Sequence, residues 1–201
     1  MPPPEIELLD FKRRVHALYA RVREDDDQAR ATAAWIAGRD ELFATHPQSA
    51  LPPERRADFE GLPYFPHDPA GRVAAHVEPI ERRRYEIPSS TASTMSFERF
   101  AVARFALGDE ACELELYWLS AYGGGLFVPF ADATSGDETY GAGRYLLDTV
   151  KGADLGTRDG RLVLDFNLAY NPSCSYDPSW SCPLAPPANR LKLPVRMGER
   201  H

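Results

Sequence analysis

The chain has 201 residues and a formal net charge of −7, with 43% hydrophobic and 26% charged residues. That apolar content supports a sizeable core and excludes a disordered chain, while the acidic balance repels phosphate backbones and anionic lipid surfaces and argues against nucleic-acid and membrane partners. No apolar stretch reaches transmembrane length, the first residues lack the basic start and apolar core of a secretory signal, and three cysteines suit a reducing compartment, so the expected location is cytoplasmic.

Leu8, Phe11, Val15, Leu18, Tyr19 and Val22 recur at three- and four-residue spacing, which marks one apolar face of a helix. Pro4 suits a first helical turn, and Asp25-Asp26-Asp27 interrupts the pattern. A second helix is predicted over about 27–44, with Asp27 as N-cap and Ala31, Ala34, Trp35, Gly38 and Leu42 as its apolar stripe. Trp35 and Arg39 share a face one turn apart, the pattern of core packing with an arginine at the rim. Prolines between His46 and Pro53 end the helix, and a short helical turn is expected over 54–59.

Beyond residue 60 the apolar period changes from helical to two. Strands are predicted at 62–65, 73–80, 83–87, 96–107, 112–121, 126–130, 145–150, 162–170 and 191–196, separated by turn-forming pairs such as Gly108-Asp109 and Asp159-Gly160. No long helix separates them, so parallel βαβ units are not expected. The fold class is therefore α+β and β-rich. N-terminal helices over 1–60 pack on a rolled antiparallel sheet or barrel over 61–201, the two together making one domain. The basic run Arg82-Arg83-Arg84, flanked by Glu81 and Glu86, reads as a solvated edge.

Two strands alternate cleanly. Cys112, Leu114, Leu116 and Trp118 face one way, and Glu113, Glu115 and Tyr117 the other, as in a half-buried strand with its glutamates in water. In 162–169, Leu162, Leu164, Phe166 and Leu168 form one face, while Asp165 and Asn167 share the other with Val163 and Ala169. That mixed face fits a pocket lining. The segment 171–189 is long, proline-rich and aromatic, the composition of an ordered, lid-like loop.

The most specific motifs are Thr139-Tyr140-Gly141-x-Gly143-Arg144-Tyr145 and the run from Asp165-Phe166-Asn167 to Cys182-Pro183. Together with Trp35-x-x-x-Arg39, His46-Pro47-Gln48-Ser49, Gly61-Leu62-Pro63-Tyr64-Phe65-Pro66 and Phe130-x-Asp132-x-Thr134-Ser135-Gly136, they span most of the chain. In these motifs the sequence resembles the bacterial and archaeal family named domain of unknown function 1684. It departs from the pattern at Ala188, where a glutamate is expected, and at Ala50, where a proline is expected. The resemblance implies a shared fold and a shared polar cluster, and it carries no activity. It also implies relatives that are exported, in which a Cys174–Cys182 disulfide would close a short loop.

The residues themselves exclude several chemistries. Cys174 and Cys182 are too far apart for one half of a structural zinc site, and His16, His46, His67, His76 and His201 supply no second pair. Ser135 lacks a nucleophile elbow, Gly141-Ala142-Gly143 is too short for a dinucleotide fingerprint, and no cysteine-protease signature surrounds Cys174. No metal, flavin or nucleotide is required, and the cofactor and oligomeric state are left open.

What remains is a polar cluster centred on Arg144, Asp165 and Asn167. Tyr170, Asn171, Tyr176 and Asn189 join it, as do Tyr140, Tyr145 and Cys174. Three readings are open. A structural network would pair Arg144 with Asp165 and use the asparagines to satisfy loop backbone. A binding domain would hold an anionic or polar small molecule on Arg144, with tyrosine and asparagine fixing its orientation. A hydrolase or lyase would use Asp165 as acid or base, with Arg144 stabilising charge. A protein-interaction module docking through 171–187 is a further alternative.

Overall fold

The structure, a computed structural model, describes residues 2–91, 94–120 and 123–201. Helix α1 (Pro4–Glu24) carries Glu5 and Glu7 in its first turn and Arg21 and Arg23 in its last, each complementing the helix dipole. Helix α2 (Gln28–Thr45) follows at once. The Asp27 side chain accepts the Arg30 N–H at 3.0 Å and caps it, as expected. Gly38 faces the Leu18 side chain with no room for a Cβ, so the two helices pack closely there. Among the described residues no helix is long and apolar enough to cross a membrane.

The sheet comprises β1 (Arg72–Pro88), β2 (Thr94–Leu107), β3 (Glu110–Leu119), β4 (Leu126–Phe130), β5 (Arg144–Asp148), β6 (Thr157–Arg158) and β7 (Arg161–Asp165). Its order is β5-β4-β3-β2-β1-β7-β6, and every pairing is antiparallel. It curls into a half-barrel. Tyr145 in the edge strand β5 exchanges two backbone hydrogen bonds, at 2.9 and 3.1 Å, with Tyr170, five residues beyond the end of β7. This is the β-rich α+β fold that the apolar periodicity implied.

Several boundaries differ from expectation. The strands predicted at 73–80 and 83–87 are one long strand, β1, whose register slips between Pro79 and Arg83. Pro79 has no N–H for a ladder, which favours a bulge and a bend at that point. The segment 62–65 forms only an isolated bridge, Tyr64 to Glu199. Beyond Asp165 the predicted strand 162–170 gives way to a 3₁₀ turn, Phe166–Leu168, because the Asp165 carboxylate takes the Asn167 N–H at 3.0 Å and offers the backbone a local alternative. The segment 191–196 is not a strand. The helical turn expected over 54–59 is the 3₁₀ turn Pro53–Arg55. Strand β3 ends at Leu119, and Ala121 lies outside the described residues.

The expected two-faced strand is also corrected. Leu114 and Leu116 enter the main core as predicted, but Tyr117 on the opposite face is fully buried, in a second cluster with Ile87, Phe97, Phe127 and Tyr145. Segment 182–185 roofs that side. It hydrogen-bonds Pro88 and Ser90 on one flank and Ala142 on the other, and the Pro183 carbonyl accepts the Tyr145 hydroxyl at 2.5 Å. Glu115 is consequently engaged, with Arg99 at 2.8 Å and the Tyr117 hydroxyl at 2.6 Å, and Trp118 is the member turned partly outward. Arg82, Arg83 and Arg84 are all exposed.

β3 and β4 pair directly only at Tyr117–Phe127 and Trp118–Leu126. Where they diverge, the Asn189 side chain substitutes for a ladder. Its Oδ1 accepts the Glu115 N–H at 2.8 Å, and its Nδ2 donates to the Glu115 and Pro129 carbonyls at 3.0 and 2.7 Å. Asn189→Asp cannot donate to either carbonyl and faces them with a charge. Both Asn189→Asp and Asn189→Ala should lower unfolding free energy by about 2–4 kcal/mol in urea titration. A change under about 0.5 kcal/mol, the range of an uninvolved surface site, would contradict this assignment.

Candidate functional site

Arg144, the centre of the sequence-predicted cluster, is fully buried in the protein's own backbone. Nη2 donates to Asp132 Oδ2 and the Val195 carbonyl, both at 2.9 Å. Nη1 donates to the Met197 carbonyl and, at 3.2 Å, to that of Glu199. The guanidinium lies 5.0 Å over the Phe130 ring. The expected Arg144–Asp165 pair does not form. Asp132 is twelve residues away and reaches Arg144 across the β4–β5 excursion, whereas Asp165 faces Arg72 at 3.4 Å and binds Asn167. Asn167 is spent in turn, accepting the Asp68 N–H at 2.9 Å and donating to the Asp68 carbonyl at 2.8 Å. These residues fasten the C-terminal segment and the loop before β1. Lysine would place a point charge where a fork now serves three carbonyls and a carboxylate. Arg144→Lys should therefore lose about 2–4 kcal/mol of stability in urea unfolding.

A partly enclosed, largely apolar cavity lies elsewhere, between the helical pair and the open side of the half-barrel, with a volume of about 340 Å³. Helix α1 contributes Phe11, Val15, Leu18 and Tyr19, and α2 contributes Trp35, Arg39, Leu42 and Phe43. The sheet side supplies Tyr145, Ala153 and Tyr170, and the loop after β7 supplies Asn171, Pro172, Tyr176 and Trp180. Of the sequence-predicted residues, Tyr145, Tyr170, Asn171 and Tyr176 line this space. Arg144, Asp165, Asn167, Asn189, Tyr140 and Cys174 do not. Tyr19, Arg39 and Glu199 were missing from the predicted cluster. The spacing of Trp35 and Arg39 was the one available signal.

Glu199 lies outside the lining and supports the polar floor from behind it. It is fully buried, and its Oε2 accepts from Arg39 Nη1 at 2.9 Å and from the Asn171 N–H at 3.0 Å, while Oε1 accepts the Tyr176 hydroxyl. Arg39 also donates to the Tyr64 hydroxyl. Its guanidinium is surrounded by rings, lying 5.0 Å from Trp35, 5.2 Å from Phe43 and 5.2 Å from Tyr170. Burial opposes its charge, but the Tyr64 phenol and the Glu199 carboxylate outweigh that and keep it protonated. Burial also pushes the Tyr19, Tyr170 and Tyr176 phenols upward, so all three keep their protons. Among the described residues, three buried polar atoms of lining residues form no well-shaped hydrogen bond: Tyr19 Oη and Trp35 Nε1, which approach one another, and Asn171 Oδ1. Among the described residues no cluster of His, Cys, Asp and Glu offers a metal three ligands.

Cys174 and Cys182 meet as thiols behind the cavity-facing loop. The Cys174 N–H points to Cys182 Sγ at 3.3 Å, and the Tyr140 hydroxyl is 3.7 Å from Cys174 Sγ. A hydrogen bond from Cys182 pulls the Cys174 thiol down to about 6 against the opposing effect of burial, and Cys174 pushes Cys182 upward. The thiolate therefore forms on Cys174 as pH rises through about 6. Thiolate ultraviolet absorbance should rise by one equivalent with that midpoint. The step should vanish in Cys174→Ser and persist in Cys112→Ser. A first midpoint in the ordinary thiol range would overturn the pairing.

The fold and cavity define a class: a β-rich α+β domain with an aromatic, largely apolar cavity between a helical hairpin and a half-barrel. The chain belongs to the family described as Protein of unknown function (DUF1684), whose model matches residues 57–200. It is similar to the solution NMR structure of the uncharacterized protein from gene locus rrnAC0354 of Haloarcula marismortui. The two are 37% identical with a TM-score of 0.63, over 90% of this chain and 97% of that one. No curated protein matches the chain. Residues before 57 make up more than a quarter of the chain, yet only a tenth lies outside that superposition. Much of the helical wall of the cavity thus belongs to the shared structure.

Proposed function

We propose that this protein is a small-molecule binding domain whose ligand occupies the cavity between α1, α2 and the half-barrel. The carrying observation is the pairing of an apolar, aromatic wall with buried polar atoms that form no well-shaped hydrogen bond among the described residues. Orphaned polar atoms in an otherwise well-packed interior are costly, and a ligand that satisfies them recovers that cost. A volume of about 340 Å³ is at the lower end of small-molecule sites, which points to a compact ligand. Residues between 171 and 180, the first part of the proline-rich segment 171–189, form one wall of the cavity. The chain's three free thiols accord with a reducing compartment such as the cytoplasm, and its acidity with the absence of nucleic-acid or membrane partners. Internal partners hold Arg144 through both Nη atoms and Asp165 through Oδ1, and neither residue lines the cavity, so the ligand reading is centred on the cavity rather than on them.

The test is saturable binding of a neutral apolar fluorophore small enough for this volume, 1-naphthylamine, to the full chain. One-to-one binding is expected. Val15→Trp, which fills the half-buried α1 wall, should weaken it about tenfold or more while leaving the melting temperature near that of the parent. Absence of saturable binding, or equal affinity in a folded Val15→Trp variant, would remove this reading.

A further inference from the structure

The lining of the cavity is chemically one-sided. It includes three cations, Lys12, Arg39 and Lys151, and no aspartate or glutamate, in a chain whose net charge is −7. Lys151 is matched by Asp148 at 3.5 Å and Arg39 by Glu199 at 2.9 Å, but Lys12 is half-buried and has no ion-pair partner among the described residues. The site therefore carries an excess of positive charge before anything enters it.

The hydrogen-bonding groups are one-sided too. Arg39 spends only Nη1 on the protein; Nε and Nη2 have no partner, and its side chain is 11% exposed on a cavity that it lines. The indole N–H of Trp35 can only donate, and its approach to Tyr19 Oη falls outside normal hydrogen-bond geometry. The Tyr19 hydroxyl, held protonated by burial, can donate as well as accept. Beside them stands Asn171 Oδ1, a buried acceptor with no partner among the described residues. A molecule complementary to this floor presents acceptor oxygens and a negative charge.

The remainder of the wall is hydrocarbon and ring. Leu8 and Trp180, 43% and 38% exposed, stand at the rim, while Trp35, Leu42 and Phe43 are buried deeper. At roughly 30 Å³ per methylene-sized group, comparable to a water's share of the liquid, such a cavity holds about ten to twelve heavy atoms.

We infer that the ligand is a monocarboxylate with a compact apolar body of about ten carbons, its carboxylate received by the free edge of Arg39 and the Trp35 N–H, with Lys12 supplying the unmatched charge. This rests on the cavity being the binding site. It goes further by naming what the site selects.

The experiment compares decanoate, decanol and decylamine by calorimetry on the full chain near neutral pH, beside the neutral fluorophore. Decanoate should bind about tenfold or more tighter than decanol, the ratio that a charge-assisted hydrogen bond supplies, and decylamine should bind weakest. Trp35→Phe keeps an aromatic ring, removes the donor and enlarges the site. It should weaken decanoate about fivefold or more and lower the decanoate-to-decanol ratio, which enlargement alone does not move. Lys12→Gln should lower the decanoate preference without altering the melting temperature. Equal affinity for decanoate and decanol, or unchanged decanoate binding in a folded Trp35→Phe, would overturn the carboxylate assignment while the cavity reading stands. Failure of all three ligands with the fluorophore still bound would do the same. Failure of the fluorophore as well would overturn both.

Discussion

The buried carboxylate of Glu199 is the interaction on which the rest of the cavity depends. It collects a guanidinium from α2, a phenol from the loop after β7 and the backbone N–H of Asn171, and its own backbone bonds Ala169 and the Arg144 guanidinium. Glu199, two residues from His201, thus holds α2, the segment after β7 and β5 together through its side chain and backbone. A pair of this kind need not stabilise the fold by much, because desolvating both ions offsets their attraction. What it supplies is position. With Nη1 committed to Glu199 and Tyr64, the guanidinium of Arg39 is held among its rings with its other edge free.

That arrangement explains why a cavity exists where the sequence would support a filled core. The half-barrel closes through the Tyr145–Tyr170 backbone pair, which brings two bulky rings to the edge of the space. Opposite them, α1 and α2 approach closely because Gly38 admits Leu18, and Tyr19 and Trp35 meet edge-on at 5.8 Å. Rings this large and this firmly fixed by backbone and ion pair cannot collapse onto one another, so the gap between them persists. The same rigidity leaves Tyr19 Oη and Trp35 Nε1 without a well-shaped hydrogen bond.

Much of this was legible in the sequence, and the remainder was not for identifiable reasons. The helices, the Asp27 cap, the change of period near residue 60 and the antiparallel sheet all follow from local pattern. Partners across the fold do not. Alternation placed Asp165 on a face but could not say that Arg144 would meet Asp132 instead, because both carboxylates lie within loop or strand reach. Segment 191–196 reads as a strand by composition, but the Val195 carbonyl is claimed by a guanidinium, which no periodicity reports. Tyr170, Asn171 and Tyr176 were singled out because the 171–189 loop is conspicuous. Tyr19 was hidden inside an ordinary helical stripe, and Glu199 lay beyond every recognised motif.

The two ends of the cavity differ in how firmly they are built. At the floor, Arg39, Trp35, Tyr19 and Glu199 are each at most 9% exposed, and opening that region would uncover charges and rings together. At the rim the first turns of α1 expose Ile6, Leu8 and Leu9, at 53%, 43% and 58%, and the Pro3 N-cap contributes no side-chain hydrogen bond. Few buried contacts hold those turns, so local opening costs least there. Trp180 faces the same rim from the loop. On the proposed reading, an apolar body would enter between α1 and Trp180, where displacement is cheap, and would meet its polar complement only at the floor, where the protein does not yield.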